Sequence, residues 1–272
     1  MSQGQKADNR PIGVFDSGLG GLTVVSALRR SLPSEDIVYL GDTARVPYGD
    51  KSVDCIIRFA KEDLRFLLGK GVKAVVAACN TVSAVAIPEM RRCFPETPVT
   101  GVLEAGVQAA LAESPKRVAV LGTRGTINSD SYRRHLHAKD PSLIIESIAC
   151  PLFVPLVEEG LINHKLVFEA FDHYLSKLKD APPDVLLLGC THYPLLKEAL
   201  AEYLPGVKIV DSARACASYI EGFLSKGGLA ASAGNVSGER YYVTDLSADF
   251  QAQASRFLGY RAGYVEKVSL ES

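Results

Sequence analysis

Two stretches of this chain follow the same plan, and no other feature narrows its fold as much. AVVAACNTVSAVAIPEMRRCFPETPV begins at Ala74 and VLLLGCTHYPLLKEALAEYLPGVKIV begins at Val185. Each reads as an apolar strand, a small residue, a cysteine, a polar pair, a helix, a proline and a second strand. The later proline follows its cysteine by 16 residues in the first (Cys79 to Pro95) and by 15 in the second (Cys190 to Pro205). Upstream, IGVFDSGLGG from Ile12 has a counterpart in VAVLGTRGT from Val118. Asp16 thus precedes Cys79 by 63 residues and Thr123 precedes Cys190 by 67. Repetition on this scale predicts two half-molecules of one design, each with a thiol at the end of an inner strand.

The rest of the chain fits that plan. Strands are expected at Ile12–Phe15, Ile37–Leu40, Ala74–Ala78, Val99–Val102, Val118–Leu121, Leu143–Ile148, Val185–Leu188, Lys208–Val210, Tyr241–Thr244 and Tyr264–Val268. Between them apolar residues recur at helical spacing. Ile56, Phe59, Ala60, Leu64, Leu67 and Leu68 form one face behind Ser52 as N-cap, and Gly69 and Gly71 close it. Leu166, Val167, Ala170, Phe171, Tyr174, Leu175 and Leu178 repeat the pattern after Asn163. Continuous apolar strands alternating with helices predict an α/β architecture with mostly parallel sheets.

Composition excludes several classes of function. Lys plus Arg (30) against Asp plus Glu (31) leaves a net charge of -1, with no basic excess for a phosphate backbone, so no nucleic-acid partner is expected. The longest apolar runs fall far short of the roughly 20 residues that a membrane span needs. The first ten residues are polar and read as a frayed terminus rather than a signal peptide, so a soluble cytoplasmic protein is expected. The six cysteines, at 55, 79, 93, 150, 190 and 216, contain no CxxC pair and do not resemble a disulfide framework. Cys190 and His192 are the only Cys–His near-neighbours, with no second such pair in view, so no metal site is expected.

Ligands of parallel sheets bind outside the carboxyl ends of the strands. Cys79-Asn80-Thr81 and Cys190-Thr191-His192 both begin there. A thiol at that place faces free backbone N–H groups and the positive end of a helix, which predicts a stabilised thiolate. Two thiols in facing halves suit a symmetrical proton transfer. One base removes a proton from one face of a carbon, an acid returns one to the other face, and the roles swap for the enantiomer. That layout predicts an epimerase or racemase without a redox cofactor.

FDSGLGGLTV from Phe15, GDTARVPYG from Gly41, ACNT from Ala78 and GCTHYP from Gly189 resemble, in that order, the motifs of the cofactor-independent aspartate/glutamate racemase superfamily, and of its glutamate racemases in particular. The resemblance extends from about Pro11 through CPLFVPLVEEG (from Cys150) to YVEKVSL (from Tyr264). It implies two α/β domains related by a pseudo-twofold axis, with the active site in the cleft between them. The expected division is residues 1–103 with 211–272 in one domain and 104–210 in the other. It further implies interconversion of L- and D-glutamate to supply D-glutamate for peptidoglycan, with no cofactor and no metal, by a homodimer whose partner is a small-molecule substrate. By the same resemblance Cys79 takes the proton from D-glutamate and Cys190 from L-glutamate. Asp16 stands beside the first thiol and His192 beside the second, with Glu158 in an auxiliary role. Asp16, Ser17, Tyr48, Gly49, Asn80, Thr81, Thr191 and His192 match the substrate-contacting positions. His192 also bears on substrate choice, because aspartate-specific relatives usually carry another residue there.

Other readings compete. Aspartate or another amino acid could be the substrate, or the chain could bind an amino acid without reacting; a thiol-redox or metal protein is weakened by the lack of CxxC. Asp16 could be no more than a turn residue before Gly18. Gly18, Gly20 and Gly21 do not form a dinucleotide loop, since Thr23 stands where the last glycine belongs. His135, His137, His164 and His173 read as surface or helix residues, and Cys55, Cys93, Cys150 and Cys216 as packing thiols.

Overall fold

The computed structural model describes residues 7–270. All ten expected strands form. In chain order they are β1 (Ile12–Asp16), β2 (Ile37–Gly41), β3 (Ala74–Ala77), β4 (Val99–Gly101), β5 (Arg117–Gly122), β6 (Ile144–Ala149), β7 (Val185–Gly189), β8 (Lys208–Asp211), β9 (Glu239–Val243) and β10 (Val265–Lys267). They make two sheets, ordered β10-β9-β2-β1-β3-β4 and β6-β5-β7-β8. Every pairing in both sheets is parallel.

The order β2-β1-β3-β4 of the first sheet is repeated as β6-β5-β7-β8 in the second, with β9 and β10 added to the first alone. Phe15 pairs with Ala77 as Leu121 pairs with Leu188, so the two inner pairs match in register near their carboxyl ends. The internal repeat is therefore a repeat of topology. It gives the pseudo-twofold α/β arrangement expected from the sequence.

Both faces of each sheet are covered, which is why the inner strands are apolar without alternation. Phe15, Val75 and Ala77 face the helix Val53–Gly69, in a cluster with Ile56, Leu64 and Leu67. Leu103, Val107 and Leu136 pack on Val118, Val120 and Leu187 of the second sheet. A third cluster runs through both halves, joining Val14 and Val76 with Leu121, Phe153, Leu186, Leu188, Cys216 and Ile220. The chain crosses between the sheets twice, from β4 into the helix Val102–Ala112 and from β8 into the helix Ser212–Gly227, and these two helices pack together.

Ser52 caps the helix Val53–Gly69 through the Cys55 N–H at 3.4 Å, and Gly71 (φ 73°) turns the chain out of it. The cap of the helix Lys165–Asp180 is His164, whose Nδ1 accepts from the Leu166 N–H at 3.2 Å. The expected fraying of the first ten residues holds for none of the segment from Asp8 to Arg10. The Asp8 N–H donates to the Ala230 carbonyl, Lys73 Nζ donates to the Asp8 carbonyl at 2.6 Å, and Asn9 accepts from the Ser232 N–H. Residues 1–6 lie outside the described part. No helix among the described residues is long and apolar enough to cross a membrane.

Candidate active site

Cys79 directly precedes the helix Asn80–Val85, two residues after β3 ends, and Cys190 directly follows β7. Both thiols open on one cavity of about 550 Å³ at the seam between the halves. Ser17, Tyr48, Gly49, Asn80 and Thr81 line it from the first half, and Glu158, Thr191 and His192 from the second. Asp16 lies behind this lining, 1% exposed. The sequence-expected site residues therefore converge from positions up to 176 apart in the chain (Asp16 to His192).

Around the first thiol the setting is buried and anionic. Asp16 Oδ2 accepts from the Gly18 N–H at 3.1 Å, while Oδ1 is buried without a hydrogen-bond partner. Burial holds this carboxyl above the ordinary carboxylate range, against the opposing pull of His192 and of the backbone N–H groups of Gly21, Gly18 and Ser17. Cys79 Sγ lies 3.7 Å from the Ser17 hydroxyl. Its thiol is pushed up to about 12, first by burial and then by the charge of Asp16; the Val82 N–H and the Ser17 hydroxyl act the other way. The expectation that the helix end stabilises a thiolate is thus reversed at Cys79. One N–H of a six-residue helix does not offset the loss of water around the sulfur.

Around the second thiol the setting is cationic. His192 Nδ1 lies 3.9 Å from Cys190 Sγ, and Nε2 lies 3.1 Å from Glu158 Oε1. Burial alone would lower the imidazole pKa, but its hydrogen bonds to Cys190 and Glu158 prevail and push it up to about 10. His192 therefore carries a proton at neutral pH. Phe257 packs edge-on against the ring, and Arg256 Nη1 donates to the Glu158 carbonyl at 2.6 Å, so the helix Phe250–Leu258 of the first half holds this pair.

Glycine at position 20 has a role that the missing dinucleotide pattern did not indicate. A Cβ there would come within 2.2 Å of Thr191 Oγ1 and 2.6 Å of His192 Nδ1. Its loop is a second place where the first half touches the second thiol's neighbours. Thr23 closes the same contact, donating to the carbonyls of Gly20 (2.8 Å) and Thr191 (3.0 Å).

Hydroxyls and amides fill the rest of the seam. Thr81 Oγ1 meets Thr123 Oγ1 at 3.0 Å and Thr126 Oγ1 at 3.2 Å, which themselves meet at 3.1 Å. Asn80 Oδ1 accepts from the Tyr132 hydroxyl at 2.6 Å, and Asn80 Nδ2 is buried with no partner. Tyr48 lines the cavity, yet its hydroxyl donates away from the thiols, to Asp42 and Asp63. Thr123, Thr126, Tyr132, Arg256 and Phe257 were not among the expected site residues. Only Thr123 had a signal in the sequence, as the counterpart of the segment around Asp16. Among the described residues no group of three or more His, Cys, Asp or Glu could hold a metal ion.

The profile of the Asp/Glu/Hydantoin racemase family matches residues 22–220. The chain belongs to this racemase family. It is 47% identical over 249 residues to the glutamate racemase of Aquifex aeolicus, covering 91% of this chain and 94% of that protein. To the glutamate racemase of Neisseria gonorrhoeae it is 44% identical over 262 residues, 96% of this chain and 97% of the relative. The crystal structure of the Francisella tularensis glutamate racemase in complex with D-glutamate superposes with a TM-score of 0.91 at 40% identity, covering 97% of this chain and 99% of that one. The Picrophilus torridus aspartate racemase, at 16% identity and a TM-score of 0.56, shares the fold.

Proposed function

We propose that this racemase-family chain interconverts L- and D-glutamate by moving a proton across Cα between two thiols. The observation that carries the reading is the pair Cys79 and Cys190, on matching strand ends of repeated halves and opening on one cavity. In the L-to-D direction the Cys190 thiolate takes the α-proton. The C–H electron pair stays on Cα, beside the α-carboxylate, and the Cys79 thiol delivers its proton to the opposite face. In the D-to-L direction the roles exchange. The unlike surroundings of the thiols suit this cycle, which needs one sulfur protonated and the other not. Burial keeps the proton on Cys79, and the His192 imidazolium faces the Cys190 sulfur.

Asp16 strengthens the Cys79 thiolate as a base when it forms, His192 donates toward Cys190, and Glu158 keeps His192 protonated. Ser17, Tyr48, Gly49, Asn80, Thr81 and Thr191 hold the substrate, with the free Asn80 Nδ2 as a donor to a carboxylate and Asp16 Oδ1 toward the ammonium. A site that aims donors at the α-carboxylate and excludes water lowers the barrier to so weak a carbon acid. We assign both proton transfers to the thiols, with no cofactor or metal in either. The same reading takes the chain to be a cytoplasmic homodimer supplying D-glutamate for peptidoglycan. It divides the chain into residues 1–103 with 211–272, and 104–210. L-Glutamate incubated with the protein in D2O tests it, by proton NMR for the Cα proton and by circular dichroism for the enantiomer, with L-aspartate in parallel. Loss of the Cα proton with growth of D-glutamate is expected; tight binding without solvent deuterium, or faster turnover of aspartate, overturns it.

A further inference from the structure

The orientation of the Asn80 amide has a cause outside the cleft's own lining. An asparagine amide offers a donor on one side and an acceptor on the other, and a half-turn about its last bond exchanges them. Asn80 is 2% exposed, so water does not choose between the two. Its Oδ1 accepts from the Tyr132 hydroxyl at 2.6 Å, and Nδ2 is left as an unpartnered donor. The Ser212 side chain hydrogen-bonds to the same Tyr132 oxygen, which leaves the phenol proton for Asn80. Tyr132 belongs to the helix Ser131–His137 of the second half, whereas Asn80 opens the helix after β3 in the first. It is itself 2% exposed, and its ring packs against Gly189, where a Cβ would come within 3.0 Å of Tyr132 Cε2. The glycine before Cys190 thus leaves room for the Leu121 carbonyl, at 2.8 Å from such a Cβ, and for the tyrosine that serves the residue after Cys79.

We propose that Tyr132 is a positioning residue that locks the Asn80 amide with its NH2 toward the substrate carboxylate, so that each thiol's neighbourhood is completed by the other half. This rests on the glutamate racemase reading above. The phenol is suited to the task because burial and the nearby Cys190 and Cys216 raise its pKa, so it remains a donor through the working range. With the hydroxyl gone, nothing opposes the flipped amide, whose oxygen would meet a carboxylate oxygen with like polarity.

KM and kcat for glutamate are measured in the wild type, Tyr132→Phe, Asn80→Ala and the double variant. In Tyr132→Phe, KM rises at least about twofold, the factor for an amide free to populate both orientations equally, and kcat changes much less. Added to Asn80→Ala, the same substitution changes nothing further, because its target is gone. Multiplying effects in the double variant, or an unchanged KM in Tyr132→Phe, overturns the proposal. Asn80→Asp supplies a second measurement. It keeps an acceptor for Tyr132 but brings no donor to the cleft, so KM must rise as in Asn80→Ala; a wild-type KM there also overturns the proposal. Failure of the underlying reading is distinguishable, since the wild type would then not racemise glutamate.

Discussion

The two halves share topology and register, yet the chemistry around their thiols is opposite in sign. Cys79 lies against Asp16 and the Ser17 hydroxyl, and its proton is held tightly. Cys190 lies against an imidazolium that is in turn held by Glu158. Strand order and the place of the cysteine repeat, whereas the residue supplied as its neighbour comes from a different site in each half. Asp16 ends β1, while His192 follows the thiol by two residues. The backbone thus opens two sulfurs on one cavity, and the neighbours make their surroundings unlike.

The strongest test of this contrast removes the sulfurs. Cys79→Ser and Cys190→Ser should each lose racemisation by roughly 10²–10⁴-fold, the usual yield of a positioned acid or base. In D2O, Cys79→Ser should exchange the α-proton of L-glutamate faster than that of D-glutamate, and Cys190→Ser should show the reverse. Equal exchange of both enantiomers in both variants would show that the thiols do not face opposite sides.

Gly20→Ala comes next. The added methyl meets Thr191 and His192, and overpacking of this kind costs about 1–3 kcal/mol. If that appears in the transition state, kcat/KM falls about 5- to 150-fold, tenfold for each ~1.4 kcal/mol. Both directions must fall alike, since enantiomers are equal in energy, so the bias toward the second thiol's step shows only in deuterium exchange. Unaltered exchange with lowered thermal stability would assign Gly20 to packing alone.

A smaller effect follows from Glu158→Gln. The carboxylate is one of the groups that hold the His192 pKa at about 10, so its loss should move the alkaline limb of activity to lower pH. The same pairing stabilises the fold fully below the ordinary imidazole value of 6.5 and ceases to do so as pH rises through about 10. A pH–rate profile identical to the wild type's would remove Glu158 from the second thiol's support. Least in size is a difference in labelling order. At neutral pH iodoacetamide should reach Cys190 before Cys79, with glutamate protecting both, because the Cys79 proton is held and only thiolates react. Peptide mapping that finds Cys79 labelled first would invert the comparison.

The strands were legible because each inner strand is apolar on both faces, and the two sulfurs because one cysteine recurs at one place in a repeated unit. What stayed hidden depends on contacts between distant positions. Nothing near Tyr132 in the chain points to Asn80, and Gly20 looks like any glycine in a tight turn until Thr191 and His192 pack against it. The reversal at Cys79 has the same origin: the local pattern shows the helix end, whereas burial by residues from elsewhere decides the charge state. Tyr48 was legible as a cavity residue but not in its direction, because Asp63, which draws its hydroxyl away, sits on the next helix.

The double crossing at Gly101–Val102 and Asp211–Ser212 also limits how the molecule can breathe. Two rigid bodies tied at two points retain one soft degree of freedom, a rotation about the line through the ties. Sliding and twisting are opposed by the paired crossing helices and by the apolar cluster shared between the halves. Any rotation about that line therefore changes the separation of Cys79 and Cys190 directly, because each sulfur ends an inner strand of a different sheet.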